Sequence, residues 1–162
     1  MKDINYKEEY AKLKAKYTAL PDFTAFNHYM EVSFLSYDVY DTDMMARFFR
    51  RLCERRLEGF IGFLQNFIYP PQQMMILIEE SKSLTDEQKE ECSELLKKAM
   101  ALYRTCTLMN YSFNEEEECN KITEIVEFLQ NTQPFLDKII SHLKEEWEKI
   151  TQDKPPDAKY IG

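Results

Sequence analysis

The sequence predicts an all-α protein, a single-domain bundle of five to seven helices. Apolar residues recur at intervals of three and four along most of the chain, the period of helices that turn one face toward a core. Glycine occurs only three times, which disfavours β-hairpin turns and glycine-rich phosphate loops. At 162 residues and 44 % apolar composition, the chain is long enough for one core. We expect the domain to cover residues 1–152 and a proline-containing tail to cover 153–162.

The first third of the chain predicts two short helices and an irregular aromatic segment. The first helix is rich in lysine and should end before Pro21, because proline cannot continue a helix. A second helix is expected near 23–30, and up to Tyr40 the chain should pack through its aromatic rings. The apolar stripe of the first helix consists of Tyr6, Tyr10, Leu13, Tyr17 and Leu20.

Two long helices, near 43–69 and 85–112, should form the spine of the bundle. The first follows Asp41-Thr42-Asp43, which offers an N-cap and first-turn acids, and it stops at Pro70-Pro71. The second starts at the capping box Thr85-Asp-Glu-Gln88. Its apolar side consists of Cys92, Leu95, Leu96, Ala99, Leu102, Tyr103, Cys106 and Met109.

Shorter helices are expected around this spine. The residues Met74, Met75, Ile76, Leu77 and Ile78 predict a short buried helix. Asn114 should cap a further helix, and Thr132-Gln-Pro134 should start a last one with proline in its first turn. The core faces of these two helices would be Cys119, Ile122, Ile125, Val126 and Leu129, and then Phe135, Ile139, Leu143, Trp147 and Ile150.

Five of the six arginines fall within the ten residues 47–56. This window also holds one glutamate, so it carries a charge of +4 and leaves −12 on the rest of a chain of net charge −8. Such a positive stripe on an acidic protein is either an internal seam against acidic helices or a binding face, and the sequence leaves both open. Acids for a seam are available at Glu54 and Glu58 in the same helix. Neighbouring helices offer further acids at Glu115–Glu118 or at Glu87, Glu90 and Glu91. The outward arginines predicted for a binding face are Arg47, Arg50, Arg51 and Arg55.

Arg56 differs from the other four because it falls among the apolar positions of the predicted helix. It stands one turn from Leu52 and from Phe60, and a buried guanidinium needs a carboxylate or several carbonyls. We therefore expect Arg56 to be buried in an ion pair between helices. The alternatives are an anion pocket with Arg56 as its floor, and a side chain that extends to solvent at the edge of the core.

The five apolar residues from Met74 to Ile78 also suggest an interface, since some of them must point away from any single core face. The sequence predicts no metal site and no cofactor: the four cysteines lack a zinc-finger spacing and should be buried core thiols. No apolar run approaches the length of about 20 residues that spans a membrane.

These observations favour a non-enzymatic cytoplasmic adaptor or accessory subunit, with a protein partner bound through the arginine face, the apolar patch or both. A factor that contacts RNA or a nucleoprotein within a larger assembly is the alternative, although the net charge of −8 disfavours a free-standing nucleic-acid binder. A small-anion-binding protein or enzyme centred on Arg56 is the third. The oligomeric state and the partner's identity do not follow from the sequence.

Overall fold

The computed structural model describes residues 4–32 and 44–152, without the side chains of 150–152. Within these ranges the protein contains six α-helices and no β-strand, which confirms the all-α bundle. The helices are α1 (Tyr6–Lys16), α2 (Phe23–Met30), α3 (Met45–Ile68), α4 (Met75–Ser83), α5 (Asp86–Met109) and α6 (Glu115–Gln152). The expected tail at 153–162 lies outside the described residues.

Helix α3 is the centre of the bundle and packs against each of the other five helices. Its first turns lie beside the end of α5, where Arg50 contacts Asn110, so the two helices are antiparallel. They also lie beside the start of α6, where Arg50 contacts Glu118, so α6 runs parallel to α3. The core therefore lies between α3, α5 and α6, and the three shorter helices cover its edges.

Aromatic side chains join the two N-terminal helices to α3. Tyr10 is fully buried, and its hydroxyl donates a hydrogen bond to the Pro21 carbonyl oxygen at 3.0 Å. Its ring stacks on Phe26 with a centroid separation of 4.7 Å and meets Phe49 of α3 edge-on at 5.2 Å. The pair α1–α2 is thereby anchored to α3. Most of the expected irregular segment and the expected N-cap at Asp41–Asp43 lie outside the described residues.

The two spine helices occupy nearly their predicted ranges. The Thr85 hydroxyl accepts a hydrogen bond from the Gln88 amide at 3.2 Å, and the Gln88 side chain accepts one from the Thr85 amide at 2.8 Å. The predicted capping box is therefore confirmed. Helix α3 ends at Ile68, directly before Tyr69 and the two prolines.

Helix α6 corrects the predicted break at Thr132-Gln-Pro134, because one helix of 38 residues runs through it. Proline removes one intrahelical hydrogen bond and costs on the order of 3 kcal/mol in a helix interior. Packing outweighs that cost here: Leu129 and Thr132 before the proline and Phe135 after it are all buried on one side. The spine consequently has three long helices rather than two.

Helix α4 is helical as predicted, but the expectation that it is buried is wrong. Ser81 is its one buried residue. Polar contacts attach the helix to its neighbours: the Ser81 hydroxyl donates to the Phe67 carbonyl oxygen at 2.6 Å, and the Trp147 indole donates to Glu80 at 3.0 Å. Because these contacts involve its second half, the apolar residues at its start are left facing solvent.

The four cysteines are all buried, as predicted. Burial raises the pKa of each thiol, to about 11 for Cys92 and Cys106 and to about 12 for Cys119, and the pKa of Cys53 also lies well above its ordinary value. The thiols are therefore protonated at neutral pH, and protonated thiols are poor nucleophiles.

None of the helices in the described ranges combines the length and the apolar character that crossing a lipid bilayer requires.

The burial of these thiols predicts slow chemical labelling. At pH 8 in native buffer, all four cysteines should react with a maleimide far more slowly than glutathione does, because both access and thiolate fraction are low. In denaturant, four thiols per chain should react at once. Mass spectrometry of timed samples measures this, and rapid labelling of any one cysteine in the native protein would contradict the packing described here.

The proline within α6 predicts an unusual gain in stability. Pro134 is exposed, so Pro134→Ala restores a backbone hydrogen bond without removing core packing, and the free energy of unfolding should rise by about 1–2 kcal/mol. The control is Pro21→Ala, in the connection between α1 and α2. It should lower the free energy of unfolding by up to about 1 kcal/mol, because the unfolded chain gains conformational entropy when the proline is removed. Urea unfolding measures both. A loss of stability in Pro134→Ala would mean that α6 requires its proline.

Candidate functional site: the arginine face of α3

The arginine run of α3 divides into two inward and three outward side chains. Arg50 is fully buried and Arg47 is 13 % exposed in its side chain, and both bind the buried carboxylate of Glu118. Arg47 Nε donates to one oxygen at 2.9 Å and Arg50 Nε donates to the other at 2.7 Å. These two arginines therefore form an internal seam, and do not lie on the outward face on which the sequence analysis placed them.

The remaining donors of the two inward arginines hold the connection between α5 and α6. Arg47 Nη2 donates to the Met109 carbonyl oxygen at 3.0 Å and also to that of Ser112. Arg50 Nη2 donates to the Asn110 side-chain oxygen at 2.6 Å, and Arg50 Nη1 donates to Glu54 one turn along α3. The seam thus joins three helices through a short loop.

The seam keeps its charges although it is buried. Burial lowers the pKa of Arg50, but the hydrogen bond and the negative charge of Glu118 raise it more, and the pKa lies above its ordinary value. The guanidinium is therefore permanently charged. No buried side-chain nitrogen or oxygen atom in the described part of the chain lacks a hydrogen-bond partner, so the burial of these charges is compensated.

Arg56 corrects the sequence prediction most directly: it is exposed, and it forms no ion pair among the described residues. By angle alone, at about 100° per residue, Arg56 falls between Phe49 and Leu52, which are both buried. It is exposed because it lines a cavity that is open to solvent. Arg50 projects between the buried residues Leu57 and Ile61. The buried lock exists, but it is made by Arg50.

Arg51, Arg55 and Arg56 are the outward arginines. Arg51 Nε lies 3.5 Å from the Asn110 side-chain oxygen, at the limit of a hydrogen bond. These outward arginines place three guanidinium groups on neighbouring turns of one helix, on a chain of net charge −8.

A cavity that sequence reasoning missed adjoins these arginines. It has a volume of about 330 Å³, lies between α2, α3 and α6, and is open to solvent on one side. Helix periodicity indicates which residues share a face, but it does not show where two faces fail to meet, so no signal in the sequence could have located this space. The lining residues are Tyr29, Arg55, Arg56, Gly59, Phe60, Phe63, Leu129, Gln133, Leu136 and Ile140.

The start of α4 forms the second exposed surface, which we call the α4 patch: Tyr69, Met74, Met75 and Ile76. These residues are 74 %, 53 %, 65 % and 62 % exposed. Leu77 and Ile78, the other two members of the predicted interface, are half-buried. The structure therefore brings three of the five predicted residues to the surface together with Tyr69.

The described residues contain no group of three or more His, Cys, Asp or Glu side chains placed to hold a metal ion. We found no significant match of the chain to a protein-family model, to a curated protein or to a solved structure.

The seam predicts a large difference between two arginines six residues apart. Arg50→Ala leaves Glu118 buried with one guanidinium instead of two, and it should lower the free energy of unfolding by about 3 kcal/mol. Arg56→Ala removes an exposed arginine side chain from the same helix. It should change the free energy of unfolding by less than about 0.5 kcal/mol. Urea denaturation followed by circular dichroism compares the two, and equal losses would refute the assignment.

Proposed function

We propose that the protein is a non-enzymatic helical adaptor, or an accessory subunit of a larger cytoplasmic complex, that binds an acidic partner protein. The partner would lie along the outer face of α3, defined by Arg51, Arg55, Gly62 and Tyr69, and reach the α4 patch. The cytoplasmic location is part of this proposal and rests on the reading of the cysteines as reduced thiols.

The observation that carries the proposal is the α4 patch. Four large apolar side chains between residues 69 and 76 are each more than half exposed, at one end of the bundle. Isolated exposed apolar residues are ordinary in proteins, whereas a group of them marks a surface that a partner covers. Helix α4 buries only Ser81, so its apolar start contributes little to the core of this domain.

The outer face of α3 connects this patch to the exposed arginines. At about 100° per residue, Arg51, Arg55, Gly62 and Tyr69 project within about 40° of each other. The face is about 27 Å long at 1.5 Å per residue. A Cβ added at Gly62 would meet nothing within 4 Å, so the middle of the face is open to the approach of another chain.

Charge complementarity indicates which kind of partner fits. Most of this chain is acidic, so an acidic partner is repelled from the rest of the surface and attracted to the outward arginines. An acidic protein segment with apolar residues at one end matches both halves of the face. The orientation is set by the arginines near the start of α3 and the apolar patch beyond its end.

The inward positions of Arg47 and Arg50 weaken the RNA alternative. Two of the four arginines expected to contact phosphates, Arg47 and Arg50, bind Glu118 instead. Three outward arginines are a small basic surface for nucleic acid on a chain of net charge −8.

The proposal predicts a selective loss of partner capture. The double variant Arg51→Gln/Arg55→Gln should keep the wild-type melting temperature within about 2 °C, because surface substitutions of this kind change stability little. At low salt, wild-type protein should capture a partner from lysate even after nuclease treatment, and the double variant should lose most of that partner. Wild-type capture should itself fall as the salt concentration rises. Met75→Ser/Ile76→Ser should weaken capture of the same protein independently of salt.

The matched control is Lys98→Gln/Arg104→Gln, which removes the same charge from exposed positions of α5. It should capture the partner as wild-type protein does. Quantitative mass spectrometry of the bound fraction compares all four proteins. Loss of every captured protein after nuclease treatment would favour the RNA alternative, and unchanged capture by both test variants would refute the proposed face.

A further inference from the structure

We infer that the cavity between α2, α3 and α6 is a binding site for an amphipathic carboxylate, a small molecule with a medium-length apolar chain and one anionic end. This goes beyond the adaptor proposal, because it concerns a small ligand and a neighbouring surface of α3 that shares only Arg55 with the partner face.

The cavity has the construction of a ligand site rather than of a packing defect. Its walls are two regular stripes on parallel helices, and its volume of about 330 Å³ is at the lower end of the range for small-molecule pockets. The stripe on α3 has the spacing i, i+3, i+4, i+7, and the stripe on α6 has the spacing i, i+4, i+7, i+11. The α3 stripe consists of Arg56, Gly59, Phe60 and Phe63, and the α6 stripe consists of Leu129, Gln133, Leu136 and Ile140.

Gly59 provides part of this space. It lines the cavity, and a Cβ at this position would meet nothing within 4 Å. Glycine in a helix interior costs about 0.5–1 kcal/mol relative to alanine, so here the chain carries a residue that weakens α3 and widens the cavity. Gly62, one turn further along α3, is equally open but lies outside the cavity.

The apolar part of a ligand would lie against the floor and the outer wall. Phe60 and Leu129 are buried at the floor, while Ile140 at the rim is 53 % exposed. A bound alkyl chain would cover the exposed side of Ile140 and contact the ring of Phe63. Both contacts remove apolar surface from water, which is the main driving force for such binding.

The anionic end would lie at Arg56. Its guanidinium lines the cavity, cannot lose its charge and forms no ion pair among the described residues. The planar fork of arginine binds a carboxylate through two parallel hydrogen bonds. Gln133 also lines the cavity, and its side-chain nitrogen donates a hydrogen bond to Asp137 at 2.8 Å. Apolar walls with the guanidinium of Arg56 on one side favour a molecule that is both apolar and anionic.

The test is isothermal titration calorimetry of the protein with octanoate. Three probes that each lack one feature of octanoate are titrated in the same way: 1-octanol and octylammonium lack its negative charge, and acetate lacks its apolar chain. Octanoate should bind saturably at one molecule per chain. The three other probes should bind at least about tenfold more weakly, since each loses either the charged contact or the apolar one.

Two pairs of variants assign the binding to this cavity. Gly59→Leu should abolish octanoate binding by filling the space, while Gly62→Leu leaves it unchanged. Both should stay folded, because leucine is the better helix former, and circular dichroism verifies this. Arg56→Gln should weaken octanoate about tenfold without affecting the binding of 1-octanol, while Arg104→Gln on α5 has no effect.

The inference is overturned by the absence of saturable octanoate binding, by equal affinity for octanoate and 1-octanol, or by full binding in Gly59→Leu. Because Gly59 lies outside the face proposed for the partner, Gly59→Leu should capture the partner normally. The two proposals can therefore fail separately.

Discussion

The arrangement of this bundle depends on one buried carboxylate, Glu118, held between two arginines of α3. Arg47 and Arg50 each donate an Nε–H to a different oxygen of the same group, and their remaining donors bind the loop that joins α5 to α6. Apolar faces can slide past each other at modest cost, whereas a charge in the core must meet its partner. The contact therefore fixes how far α3, α5 and α6 are shifted along one another.

This contact also determines which side chains are available for binding. Once Arg50 points inward between Leu57 and Ile61, the rotation of α3 is set, and Arg51 and Arg55 point toward solvent. The same rotation turns Gly59 and Phe63 toward the gap beside α6. The cavity and the exposed arginines are thus consequences of the seam, although neither takes part in it.

The sequence predicts the helices well because period and capping are local properties. The capping box at Thr85, the stop before Pro70 and the buried stripes of α1, α5 and α6 needed no knowledge of the partners. The predictions that were wrong concern features that tertiary contacts determine, such as the burial of a side chain or the continuity of a helix. The sequence analysis placed Arg56 in the core and Arg50 on the outward face, whereas Arg50 projects between the buried residues Leu57 and Ile61. The break at Pro134 is locally reasonable, but the buried residues on both sides keep α6 continuous. The cavity depends on the spacing between helices and has no local signature.

The distribution of polar and apolar groups favours binding over stability alone as its explanation. A buried ion cluster is often no more stable than apolar residues of the same size. Here charged side chains occupy the core, while Met74, Met75 and Ile76 face water and Gly59 leaves a gap in the middle of the central helix. Each feature costs stability in the isolated domain. Gly59 lies at the cavity to which we assign a ligand, and Met74, Met75 and Ile76 lie at the surface to which we assign a partner. The buried ion cluster lies at neither surface, but it fixes how α3 is placed against α5 and α6.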